Sequence, residues 1–369
     1  MLDNQKISVR QFRILVILFT IGTSILIVPA TLASEAKQDA WIAAILGVGM
    51  GLLVIFLYNK LALMFPDMTF VQMNQRVLGK WLGKMVSIIF FSMTFAYTSA
   101  LLFYAGNFFI TEIMPETPLG SLVILIGIIM VMAVRYGLET FARSAEILIL
   151  TFFILFICLV FFVSPEIEVE NIQPVFDVEL KPLLRASIFL VVTSTINAVV
   201  LLMIFPANVN QPKEAQKSFL IGSLIGGLVM IIITLLGILV LGPFDSANQI
   251  YPGYKLTKKI NIGNFLTRID AIMAGLWMIT IYFKLVLYFY ASVLGFTQIM
   301  EIKDYRPFTL PLGMIAIVLS LIVYPNVVYQ QEWDTETANA FSLSVGLFLP
   351  LLLLVVAVFR KKMGKKKTI

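Results

Sequence analysis

The chain has 369 residues, 60% of them hydrophobic and 13% charged, with a net charge of +6 and a mean hydropathy of +0.96. Soluble domains carry about 45–50% apolar and about 25% charged residues, so in water this chain would expose large apolar patches and aggregate. It has no histidine and one cysteine, Cys158, which excludes a His-based triad, a His metal site and an internal disulfide.

The apolar runs are continuous and roughly 18–25 residues long, the pattern of membrane helices; barrel strands would alternate. The first run opens with Lys6, Arg10 and Arg13, ends near Leu32 and has no cleavage site behind it, so it is a retained span. It contains Gly22, Thr23, Ser24 and Ile25, with Pro29 downstream. Glycine weakens a helix, hydroxyls bond freed backbone groups, and proline removes a donor. A break here leaves free N–H groups at the start of a second half-helix, a site for an anionic group such as a carboxylate. A kinked but continuous helix is the alternative.

Further spans are expected at about 40–64, 85–111, 119–136 and 144–163. The third presents Tyr97, Leu101 and Tyr104 on one face, suited to lining a pocket or simply to helix packing. Between the fourth and fifth, Glu139 and Arg143 stand four apart and can pair as a structural clamp. The sixth span, about 184–206, carries the polar cluster Thr193, Ser194, Thr195 and Asn197, with Pro206 at its end and no glycine. Interrupted segments at matching places in two halves point to a binding site between inverted repeats. Here the shared pattern is only a Thr-Ser pair with a downstream proline. A seventh span covers about 218–242.

The eighth, about 269–299, holds Lys284 at mid-span, on a helical face with Trp277, Thr280 and Tyr288. A charge at mid-bilayer costs about 2.5–3.5 kcal/mol, so it faces the interior. It then serves as a fixed cation beside a cavity or as a proton carrier; satisfaction by carbonyls, or snorkelling, is the structural alternative. Spans at about 308–325 and 339–359 bring the total to ten.

With the N-terminus inside, cytoplasmic segments hold about 19 of the 27 basic residues, including Lys60, Arg76, Lys80, Lys84, Arg135, Lys213, Lys303, Arg306 and a tail from Arg360 to Lys367. The opposite loops are acidic, with Glu112 and Glu116, Glu166 to Glu179, and Glu332, Asp334 and Glu336. Both termini are therefore cytoplasmic. The positive charges follow membrane orientation rather than a nucleic-acid footprint. One outer loop, about 244–268, dissents with Lys255, Lys258, Lys259 and Arg268. It is either a contact surface for a partner or a local exception to a statistical rule.

The segments IGTSILIVP at 21–29, LGKWLGK at 78–84, YGLETFARSAEI at 136–147 and YPGYKLTKKINIGNFLTRIDAIMAGLWMITIYFKL at 251–285 resemble the spore germination permease family. This is the B subunit of nutrient germinant receptors, in the amino acid–polyamine–organocation superfamily. The resemblance covers nearly the whole chain. It implies one permease-like membrane domain of ten helices in a LeuT-type five-plus-five inverted repeat (about 10–163 and 184–360), with helices 1 and 6 interrupted. It also implies a small nutrient ligand, an amino acid by preference, A-type and lipoprotein C-type partner subunits, and the spore inner membrane. Where the family's first-helix motif usually has a second glycine, this chain has Ser24. The acidic residue that ligates sodium in some relatives has no counterpart in span 1, and Lys284 is placed to stand where that ion sits. No cofactor and no metal are expected.

The expected ligand site comprises Gly22, Thr23, Ser24, Ile25, Tyr97, Leu101, Thr193, Ser194, Thr195, Asn197, Thr280 and Lys284. In it the carboxylate meets N–H groups near Thr23 to Ile25, and the amine meets carbonyls and hydroxyls near Thr193 to Asn197. Sensing is the first reading; a secondary transporter of small solutes and a ligand-gated channel are the alternatives. With no nucleophile–base pair and no metal cluster, an enzyme is not expected.

Overall fold

A computed structural model describes residues 5–259 and 270–366. Arg268 and Lys367, counted above among the basic residues, lie outside the described residues. The helices in chain order are α1 (Val9–Ile21), α2 (Ser24–Ala36), α3 (Ala40–Met64), α4 (Phe70–Leu78), α5 (Lys80–Glu112), α6 (Leu119–Tyr136), α7 (Leu138–Val163) and α8 (Leu180–Leu190). Then come α9 (Pro212–Ala247), α10 (Pro252–Lys259), α11 (Asp270–Ile299), α12 (Arg306–Ile322), α13 (Val327–Glu332), α14 (Ala338–Ser342) and α15 (Leu349–Lys366). A π-helical turn (Val191–Thr195) and a 3-10 segment (Ile196–Met203) continue α8. Two more π-helical turns, Trp333–Thr337 and Leu343–Phe348, join α13, α14 and α15.

Eight helical stretches are long and apolar enough to cross a membrane. One of them, Ser24–Met64, contains both α2 and α3, which are separate helices turned at Lys37, and α12 is a shorter apolar helix. Taking α1 and α2 as one broken crossing, and α3 and α12 as crossings of their own, gives the ten spans expected. Three of the connections carry short helical pieces. Thus α4 lies between the second and third crossings, 3-10 turns between the fifth and sixth, and α10 between the seventh and eighth. A capping box nucleates α4, Thr69 and Gln72 each accepting a backbone N–H of the other.

Loop-to-loop contacts sort the chain into two ends. At one end Ile7 N–H donates to Asn208 O (2.9 Å), Gln11 donates to Glu146, and Lys80 and Lys84 both pair with Glu301 (2.9 and 2.8 Å). These two ammonium groups, Lys84 foremost, hold the Glu301 carboxyl below the usual carboxylate range, at about 2. At the other end the Asp39 carboxylate accepts from Phe176 N–H and Val178 N–H, Glu168 N–H donates to Leu239 O, and Lys258 pairs with Glu112. The alternation matches ten crossings, and the first end carries the basic surplus that marks the cytoplasm. The Glu139–Arg143 clamp is present at 2.5 Å. In the dissenting outer loop, Lys258 is taken up by Glu112 and the Tyr254 ring, and Lys259 donates to Val240 O.

Two groups of helices build the core. In one, α1, α2 and α8 pack with α3 and α9. In the other, α5, α6, α11 and α12 pack together, with α7 alongside α11. On α9, Gly222 and Gly226 let α1 approach so closely that an added Cβ would stand 2.9 Å from the Arg13 carbonyl and 2.8 Å from Thr20 Cβ. Small residues four apart give membrane helices this close crossing. The outward faces of α6, α7 and α12 expose residues such as Leu125, Ile128, Leu150, Phe161 and Val318, as a lipid-facing surface should.

One buried tyrosine ties the irregular segments together. Tyr58 on α3 points its hydroxyl between Ile196 O (2.7 Å) and Gly346 O (2.6 Å), sharing one proton between two carbonyls. Tyr58→Phe leaves these carbonyls without their donor in a water-free interior, at a cost of about 1–3 kcal/mol. The expected outcome is a lower melting temperature of the detergent-solubilised protein; an unchanged one would mean that the hydroxyl is not what fastens these segments.

Candidate functional site

The first crossing breaks at Gly22. Its φ of 37° and ψ of −125° lie where residues with a Cβ are strained, and an added Cβ would stand 2.3 Å from Lys284 Cδ. Beyond the break α2 starts without a side-chain cap. Among the described residues, the N–H groups of Thr23, Ser24 and Ile25 meet no backbone or side-chain acceptor. They are the orphan donors of a helix N-terminus.

The sixth crossing deviates differently. Thr193 Oγ1 donates to Phe189 O (2.8 Å), Ser194 Oγ to Leu190 O (3.0 Å) and Asn197 Nδ2 to Thr193 O (3.3 Å). These side chains occupy carbonyls of the preceding turn while the helix widens to π geometry and then tightens to 3-10. With no glycine, the backbone stays in the right-handed helical region at Val191, Thr195 and Ile196. The interruption is thus a change of helical pitch, where the first crossing has a reversal of φ.

Lys284 joins the two interruptions. Only 3% exposed, its ammonium donates to Thr23 Oγ1 and to Thr193 O, both at 3.3 Å, and lies 5.5 Å from the centre of the Phe19 ring. On the same helix Thr280 Oγ1 donates to Gly22 O (2.9 Å), so α11 contacts both the break and its far side.

A cavity of about 110 Å³ opens at this junction. Six of the expected residues line it: Thr23, Tyr97, Leu101, Thr193, Asn197 and Lys284. The other six stand behind that wall. Gly22 and Thr280 form its support; Ile25 is fully buried in the core, and Ser24 is buried with its hydroxyl unpartnered. Ser194 is turned back on Leu190 O, and Thr195 packs against Gly51 of α3.

The tenth crossing supplies a wall the sequence reading did not assign. Asp334, Ala338, Asn339 and Ser342 line the cavity, with Tyr324 ahead of them, Tyr104 of α5, and Tyr288 of α11. Tyr288 is 1% exposed, and its hydroxyl has no partner among the described residues. Asp334, expected as one of three acidic markers of an outer loop, instead accepts from the hydroxyls of Tyr104 and Tyr324. Its spacing from Ala338 and Ser342, four residues each, was the available signal that it shares a face with polar positions of the last span.

A hydrogen-bonded chain crosses the site. Ser342 Oγ donates to Asn197 Oδ1 (3.0 Å), so the Tyr97 proton goes to Ser342 Oγ (2.7 Å) or Ala338 O (2.8 Å). Through Asn197 and the Thr193 carbonyl this chain reaches Lys284 and then Thr23. Crossings 3, 10, 6, 8 and 1 are thereby linked by side chains and one backbone carbonyl, that of Thr193.

The model of one protein family, described as "Spore germination protein", matches residues 6–328. The chain belongs to the spore germination protein family. It is 30% identical to spore germination protein KB of Bacillus subtilis (strain 168), over 99% of this chain and 98% of that one. It is 25% identical to spore germination protein YndE of the same organism, over 98% of each. Among solved structures it is similar to Mhp1, a nucleobase-cation-symport-1 family transporter in a closed conformation with bromovinylhydantoin bound. That similarity has a TM-score of 0.68 at 11% identity, covering 95% of this chain and 78% of that one. MhsT in complex with L-phenylalanine gives a TM-score of 0.68 at 13% identity, covering 96% and 99%. These likenesses show the fold, the LeuT-type arrangement of ten helices, in a multi-pass membrane protein.

In this spore germination protein, the contact of Gly22 with the Lys284 stem generates a test by double-mutant cycle. Gly22→Ala should lower the melting temperature through both backbone strain and the clash. Lys284→Ala in the same chain should restore only the share due to the clash, because the positive φ remains. Full restoration would mean that the backbone at 22 accepts a Cβ.

Proposed function

We propose that this chain is the ligand-binding transmembrane subunit of a spore germinant receptor, acting with A-type and lipoprotein C-type subunits in the spore inner membrane. The observation that carries this reading is the cavity where both interrupted helices meet the buried lysine. Irregular backbone persists inside a membrane only where it is buried in protein or lines a cavity, and a binding site between two inverted repeats, about 10–163 and 184–360, is the reason for keeping it.

The cavity limits the ligand. An engineered apolar cavity of about 150 Å³ takes up the six non-hydrogen atoms of benzene, so about 110 Å³ limits the ligand to about four to six such atoms, the size of glycine or alanine. Its carboxylate would lie against the Lys284 ammonium and Thr23, beside the start of α2, where the helix dipole adds positive potential. Binding shifts the balance between two packings of the bundle, because the ligand contacts one of them better. The partner subunits read that shift.

A second reading, a secondary transporter of small solutes, is favoured by the solved structures of the same fold, which are described as transporters. Concentrative uptake of labelled small amino acids by proteoliposomes holding this chain alone would establish it. For the sensor reading, Ala100→Phe fills the cavity from α5. Spores carrying it should contain normal amounts of the protein and of its partner subunits yet fail to germinate with small amino acids; a normal response would remove the cavity as the ligand site.

A further inference from the structure

Two opposite charges line one cavity, and neither has a counter-ion among the described residues. Among the described residues, Lys284 meets no carboxylate: its partners are a hydroxyl, a carbonyl and an aromatic face. Among the described residues Asp334 meets no lysine or arginine: it accepts from two tyrosine hydroxyls and from the Gln330 side chain. A charge held away from water is costly unless paired, so two unpaired charges around a space await a partner that carries both signs.

The height of each charge can be read from the packing of α11 against α5. Ser292 Oγ donates to Thr94 Oγ1, and the Trp277 ring lies 4.6 Å from that of Phe108. These pairings set the two helices antiparallel and place Lys284 level with Leu101, itself in the cavity wall. Tyr104, which holds Asp334, is three residues further out, roughly 4–5 Å along the helix. The two charges therefore border the same small space about one turn apart in height. Tyr288, one turn of α11 inward of Lys284, also lines the cavity, and its buried hydroxyl is unpartnered among the described residues.

We infer that Asp334, oriented by Tyr104 and Tyr324, is the subsite for the ligand's ammonium group, opposite Lys284 as the subsite for its carboxylate, so that the cavity selects small zwitterions. The assignment rests on the reading of this cavity as the ligand site. It moves the amine from the place the sequence suggested. There the Thr193 carbonyl already receives Lys284 and Asn197, and the Asn197 oxygen already receives Ser342. A carboxylate offers about four lone-pair sites, so Asp334, with the two hydroxyls and the Gln330 side chain on it, can still take an ammonium.

The test uses the full chain in lipid nanodiscs and measures the affinity of glycine and L-alanine against propionate, ethylamine and 1,2-propanediol. The wild-type protein should bind the zwitterions at least 10-fold more tightly than the other three. Asp334→Asn should bring L-alanine down to the affinity of propionate and leave propionate unchanged. Retained preference for L-alanine in Asp334→Asn would overturn the subsite, as would a wild-type protein that prefers propanediol or either single ion. In both cases, loss of binding in Ala100→Phe would show the cavity reading intact. Binding by Ala100→Phe equal to wild type, or no binding of any of the five compounds, would overturn both readings. Should Asp334→Asn not fold, Tyr324→Phe removes one orienting donor and keeps the charge. It should weaken L-alanine several-fold without touching propionate, and equal weakening of both would overturn the assignment.

Discussion

The ammonium of Lys284 at mid-membrane is the constraint around which the rest of the structure is arranged. A bare cation there costs about 2.5–3.5 kcal/mol even on permissive scales, and this one has no carboxylate among the described residues. It is held by the Thr23 hydroxyl, the Thr193 carbonyl and the face of Phe19. All three sit at or beside the interrupted parts of crossings 1 and 6. The interruptions and the lysine therefore need each other. The lysine stem fills the space where residue 22 would carry a Cβ, and the breaks bring polar groups to a depth where an unbroken helix would show only side chains.

The two crossings reach irregularity by different chemistry, and the consequences differ. Glycine at 22 allows a reversal of φ, which ends one helix and opens another with unpaired N–H groups at its start. Threonine, serine and asparagine at 193–197 instead bond back to carbonyls of the turn before, and the backbone changes pitch within the right-handed region. The first device yields an anion-binding end with a dipole behind it. The second yields a carbonyl and an amide facing the cavity. A carboxylate finds the positive helix end on the first side only, which biases the direction in which a ligand binds.

Much of this was legible in the sequence. Continuous apolar runs specify membrane helices, and their number and alternation follow from where lysine and arginine accumulate; the contacts among Gln11, Glu146, Lys84 and Glu301 at one end agree. Gly22 and Lys284 announced themselves because lipid penalises both, glycine through helix strength and lysine through charge. Asp334 did not, because an acidic residue beside Glu332 and Glu336 has the composition of an outer loop. Only the approach of α5 and Tyr324 shows that it turns inward to the cavity. Likewise Ser194, Thr195 and Ser24 share the polar character of their neighbours, and which of them face the cavity depends on helix pitch, which a π turn alters. Short helices inside the long connections were missed for a related reason: α4 and α10 are too polar to span and are shaped by docking on the bundle ends.

The size of the cavity bears on how a ligand could switch the bundle. Moving a two-state equilibrium from 1:99 to 99:1 takes about 5.5 kcal/mol of differential binding. The best small ligands gain at most about 1.5 kcal/mol per non-hydrogen atom, so a molecule of six such atoms has a ceiling of about 9 kcal/mol. Well over half of that ceiling would have to be expressed in one packing alone. Apolar contact with so small a solute cannot supply this; charged groups that are unpaired until it binds can. Lys284 is anchored to crossings 1 and 6, while Asp334 belongs to crossing 10 and is held by crossing 3. A zwitterion between them engages both sets of helices only when they close to one separation, and a packing that holds the two charges further apart forfeits one of the two contacts.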